Sequence, residues 1–71
     1  MKKLLIKQCP DSLRWYSNKI GQTVDFICDT AYGEYKSRED AGYINFVQHE
    51  DADIVEIGVD VANGKDISVT N

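Results

Sequence analysis

The sequence predicts a mainly β domain: a small barrel of five to six short antiparallel strands, with one short helical turn after the first strand and a C-terminal β-hairpin. Three observations lead there. Apolar and polar residues alternate in short runs, the period of a half-buried strand. Turn formers (Pro10, Gly21, Gly33, Gly42 and Asn63-Gly64) separate those runs. Seventy-one residues make one domain with a small core, and so many strands in so short a chain hide their edges best by closing on themselves.

Residues 2–9 read as the first strand, with Leu4 and Ile6 on one face. Pro10 ends it, because proline cannot donate to a ladder. Asp11 and Ser12 are cap-type residues, and Leu13, Trp15 and Tyr16 give a short helical turn that stops before Gly21. Such a turn is too short to stand alone, so Trp15 is expected to pin it to the core.

Residues 22–30 alternate as a second strand, with Val24, Phe26 and Cys28 on the expected core face. Ala31-Tyr32-Gly33 reads as a turn, and Glu34 to Arg38 as a returning strand. A polar loop ending at Gly42 precedes the β-prone run Tyr43–Val47, either face of which could be internal. His49–Ala52 reads as a tight turn into a strand from Ile54 to Val61. In the last segment a three-residue loop with Gly64 in the left-handed position would pair Val59 with Ile67 and Ile57 with Val69, apolar against apolar. The chain is thus one domain, with a barrel core at 2–56 and a hairpin extension at 57–71.

Trp15-Tyr16, Ile20-Gly21-Gln22, Phe26, Gly42-Tyr43 and Glu50-Asp51-Ala52, after a basic first strand ending near Cys9, resemble a pattern found in small phage and prophage proteins. The resemblance spans residues 2–56 and implies an SH3-like β-barrel of phage or prophage origin, in a family mostly without assigned activity. The Ala-Leu-Tyr-Asp-Tyr run of SH3 domains that bind proline-rich peptides is absent.

Little in the sequence points to chemistry. Cys9, Cys28 and His49 are the only soft metal ligands and are widely spaced, whereas structural zinc takes four ligands with a close cysteine pair. Cys28, mid-strand on the expected core face, is placed as a buried small hydrophobe and not as a nucleophile. The glycines are isolated, with no phosphate loop. No catalytic residue, metal or cofactor is therefore expected. The apolar run near the start is three residues, short of the seven or more of a signal peptide, and no run approaches the ~20 apolar residues of a membrane span. The expected compartment is the cytoplasm, that of the host if the chain is phage encoded, with both thiols reduced.

Charge is uneven. Residues 1–24 sum to +4, 25–49 to −3 and 50–71 to −5, for a net −4. The expected function is a non-enzymatic protein-interaction module that modulates a host protein. Its candidate partner surface comprises Tyr16, Tyr32, Tyr35, Tyr43, Glu50, Asp51 and Asp53, since exposed tyrosines serve as interface anchors. Two alternatives stand beside it. A basic group of Lys2, Lys3, Lys7, Arg14 and Lys19 could bind nucleic acid, against the overall negative charge. Glu50, Asp51, Asp53, Glu56, Asp60 and Asp66 could instead imitate DNA phosphates. A hairpin outside the barrel could also join two copies of the chain.

Overall fold

The computed structural model describes residues 1–60 and 65–67. It is mainly β, with strands β1 (Lys2–Ile6), β2 (Thr23–Asp25), β3 (Cys28–Asp29), β4 (Glu34–Arg38), β5 (Ile44–Gln48), β6 (Ala52–Glu56), β7 (Gly58–Asp60) and β8 (Lys65–Ile67). A 3₁₀ turn, His49–Asp51, joins β5 to β6 at the expected tight turn. All pairings are antiparallel, in three sheets ordered β2–β1–β6, β3–β4–β5 and β7–β8.

The first two sheets share one core. Leu4 and Ile6 of β1 fill it from one side, as their alternation predicts, with Val24 of β2 and Ala52 of β6 beside them. Val47 of β5 enters from the other sheet. The ambiguous run therefore buries Val47 from its odd face; Ile44, Phe46 and Tyr43 stay exposed. Burying each large aliphatic contributes about 1.5–3 kcal/mol, so this small cluster carries most of the hydrophobic stabilisation.

The chain crosses between the sheets by breaking what alternation reads as one strand over 22–30. β2 pairs with β1, β3 pairs with β4, and the Ile27 N–H turns to the Lys36 carbonyl at 2.9 Å. Ser37, fully buried, ties the corner by donating its hydroxyl to the Asp25 carbonyl at 2.7 Å. The break reverses the facing of the residues beyond it, so Cys28 is exposed and not in the core.

Two further expectations are corrected. β1 ends at Ile6: the Lys7 N–H still makes a ladder bond to the Asp51 carbonyl at 2.8 Å, but the Gln8 N–H turns out of phase to that same carbonyl. No helical turn forms after it. Four separate bonds join residues three apart (Arg14 to Asp11, Ser17 to Arg14, Lys19 to Tyr16, Gln22 to Lys19), and the Asp11 carboxylate takes the Leu13 N–H at 2.9 Å. Such side-chain capture of the backbone competes with helix.

The C-terminal hairpin is present, displaced by one residue from the expected register. Gly58 faces Ile67, Val59 faces Asp66 and Asp60 faces Lys65. The register sets Asp60 opposite Lys65 and does not give the expected apolar matching. The expectations for Gly64 and Val69 lie outside the described residues.

Candidate functional site: a groove beside the loop after the first strand

The loop between β1 and β2 lies against the end of β5 and the 3₁₀ turn, held by two aromatic side chains. Tyr16 is fully buried. Its hydroxyl donates to Asp51 Oδ2 at 2.5 Å and accepts the Gln48 N–H at 3.3 Å. Asp51 is itself buried and also accepts from Gln8 Nε2 at 3.0 Å. Tyr16 and Asp51, both expected on a partner surface, are thus a core pair. Among the described residues no buried side-chain polar atom lacks a partner. Burial above all, and then the bond to Asp51, holds the Tyr16 phenol well above its ordinary range.

Trp15, expected to pin this segment to the core, packs against it while only half-buried. Its ring meets Tyr16 edge-on at 5.6 Å, and its Nε1–H donates to the Phe46 carbonyl at 2.9 Å. That fixes the loop to the edge of β5 and opens a groove of about 360 Å³ lined by Leu13, Trp15, Phe46, Asp11, Arg14 and Glu34. A second depression of about 460 Å³ adjoins it, lined in part by Pro10, Leu13 and Glu50. Leu13 borders both and is 92% exposed, on a loop held by the Asp11 carboxylate and carbonyl, which take the Leu13 and Arg14 N–H groups, and by the Trp15 side chain bound to Phe46. No sequence signal separated Leu13 from the aromatics beside it; its place in a polar loop bounded by Pro10 is the only cue available.

The other expected surface residues do not converge. Tyr32, 88% exposed in the turn before β4, and Tyr43, 71% exposed after Gly42, stand at opposite ends of the β4–β5 hairpin. Tyr35 is partly buried, edge-on to Phe26 and tilted against the His49 ring at 4.3 Å. His49 Nε2 lies 2.9 Å from Asp29 Oδ1. The Ala31 N–H, and after it the His49 ring, hold the Asp29 carboxyl below its usual range. Glu50 is exposed beside the groove, whereas Asp53 on β6 pairs with Lys7 at 3.0 Å.

Charge pairing bears on both alternatives. Lys3 meets Asp25 at 2.9 Å, Lys7 meets Asp53 at 3.0 Å, Lys19 meets Asp40 at 2.7 Å and Arg14 lies 3.9 Å from Asp11. Four of the five basic residues thus face carboxylates and present no common patch. On the acidic side Asp51 points into the core, Asp53 is paired, and Glu56 meets the N-terminal amine at 2.7 Å, which holds its carboxyl low. The side chains of Asp60 and Asp66 lie outside those described. Among the described residues no three His, Cys, Asp or Glu side chains converge to hold a metal ion, and no helix is long and apolar enough to cross a membrane.

No protein-family model, curated protein or solved structure matches this chain.

Proposed function

We propose that this chain is a non-enzymatic binding module of SH3-like barrel type that takes an extended peptide segment of a protein partner into the groove bordered by Leu13. The observation that carries the reading is Leu13 itself, an almost fully exposed leucine between two depressions on a braced loop, with Trp15 and Phe46 at its side. Solvent-facing apolar side chains grouped beside a groove mark a contact surface. Asp11, Glu34 and Glu50 outnumber Arg14 around it, so the favoured segment carries an apolar anchor next to Lys or Arg.

The barrel reading is supported by the strand order. β1 is paired on both sides, one broken strand passes from sheet to sheet, and a 3₁₀ turn links the last strand of one sheet to the edge of the other. Origin in a phage or prophage, acting in the host cytoplasm, is part of the proposal and rests on the residue pattern over 2–56; the identity of neighbouring genes tests it.

For function, a random-peptide display library is selected against the immobilised chain. Enriched peptides are expected to share an apolar residue beside Lys or Arg, and to lose at least tenfold in affinity for Leu13→Asp, a change of about 1.4 kcal/mol or more. No enrichment, or full binding to Leu13→Asp, would overturn the proposal.

A further inference from the structure

We infer that the chain pairs with a second copy of itself along β6, antiparallel and centred on Ile54. β6 is the outer strand of its sheet. Bonds from the Ile57 N–H to the Met1 carbonyl and from the Lys7 N–H to the Asp51 carbonyl, both 2.8 Å, set the phase of the β1–β6 ladder. In that phase Asp53 and Val55 turn their peptide groups to β1, opposite Leu5 and Lys3. The N–H and C=O of Ile54 and Glu56, and the Ala52 carbonyl, point the other way. No hydrogen bond among the described residues reaches them, while the Ala52 N–H is taken by the His49 carbonyl.

The edge of β5 in the other sheet is treated differently. There the Phe46 carbonyl accepts from Trp15, the Phe46 N–H is taken by the Asn45 side chain at 2.8 Å, and the Gln48 N–H goes to the Tyr16 hydroxyl. Side chains thus occupy the Phe46–Gln48 part of that edge, whereas among the described residues none reaches Ile54 or Glu56 of β6. Unpaired edges are where strands add.

The core face points the same way. Val24, Leu4 and Ile54 stand in one cross-strand row over β2, β1 and β6. Val24 and Leu4 are buried; Ile54 is 42% exposed, and among the described residues no strand lies beyond β6 in the sheet. A further strand carrying an apolar residue at that position would cover it.

The segment Ala52–Glu56 is itself such a strand. Antiparallel pairing about Ile54 sets Ile54 opposite Ile54, Asp53 opposite Val55 and Ala52 opposite Glu56, so no two carboxylates face one another. The two Ile54 residues exchange their peptide hydrogen bonds, and each Glu56 N–H reaches the Ala52 carbonyl of the other copy. Asp53 and Glu56, the charges that would blunt this edge, are each matched by a cation of the same protomer. The contact is short and falls below the ~1,600 Å² of a standard interface, so association is weak.

The test is sedimentation equilibrium of the full chain from low micromolar to low millimolar concentration, with amide chemical shifts recorded over the same range. The expected result is a monomer–dimer equilibrium in which the Ile54 and Glu56 amides shift with concentration. Ile54→Lys, shown to be folded by circular dichroism, is expected to weaken it at least tenfold. A monomer throughout would overturn the inference. So would association whose shifts fall in the hairpin or the groove, or a folded Ile54→Lys that dimerises as well as the parent. The wild-type shifts decide the matter even if the variant fails to fold.

Discussion

The phenol of Tyr16 is the polar hinge of an otherwise apolar core, and its energetics can be read from its neighbours. Tyr16→Phe leaves the buried Asp51 Oδ2 without its donor, with Gln8 still bound to Oδ1, and the part-buried Gln48 N–H without its acceptor. The expected loss is about 1–3 kcal/mol, read as a lower urea midpoint. An unchanged midpoint would mean that the pair contributes nothing. The same group gives a pH dependence. Its folded value is raised above the ordinary 10.0, so its contribution is whole below pH 10 and is lost as the pH climbs beyond it, where the unfolded chain releases the proton first. Urea midpoints should therefore fall between pH 8 and 11 in the parent by more than in Tyr16→Phe, the difference isolating this phenol from the lysines. The sequence made Leu4, Ile6 and Val24 legible, because a period of two needs only local information. It placed Trp15 inside and Tyr16 outside for want of non-local information. The buried acceptor that lets Tyr16 enter lies 35 residues away, and nothing in the run Glu50-Asp51 marks which acid turns inward.

At the scale of elements, strands were legible and their breaks were not. Residues 22–30 read as one strand with no turn former inside it, yet the chain bends after Asp25 because two sheets must share that strand, a demand set by the whole fold. The break turns Cys28 outward. Glu34–Arg38 forms the strand its sequence predicts because its partner β5 runs alongside for its full length. Turn chemistry gives a separate prediction. Ala31, between β3 and β4, sits at φ 68°, in the left-handed region that costs a residue with Cβ about 1–2 kcal/mol. The Ala31→Gly change relieves that strain against a smaller loss of chain entropy in the unfolded state, and a net gain of about 0.5–1 kcal/mol is expected in chemical denaturation. Gly42, at φ 98° in the β4–β5 loop, is the mirror experiment: Gly42→Ala should cost about 1–2 kcal/mol. Equal midpoints for the two variants would show that backbone conformation governs neither turn.

Across the whole molecule, the charge gradient of the sequence is folded back on itself. The basic first third does not face solvent as a patch; it is matched by acids drawn from later segments, Lys3 with Asp25, Lys7 with Asp53, Lys19 with Asp40 and the N-terminal amine with Glu56. A sum along the chain could show the asymmetry but not the matching, which depends on β1 lying between β2 and β6. Solvent screens such exposed pairs, so each contributes little and salt alone should lower stability slightly. Acid should do more. The Glu56 and Asp29 carboxyls are held below their ordinary values of 4.5 and 3.8, so their contribution is present above those values and is lost as the pH falls through the lowered ones. Losing those two charges adds to the repulsion among the eight Lys and Arg on a small surface. Far-ultraviolet circular dichroism at fixed mild urea should therefore show a flat signal from pH 7 to about 5 and cooperative loss of strand signal between about pH 4 and 2. Glu56→Gln should begin that loss from a lower starting stability and with a shallower slope near pH 4. A parent and variant with identical acid profiles would show that the N-terminal amine and Glu56 are neighbours without consequence for the fold.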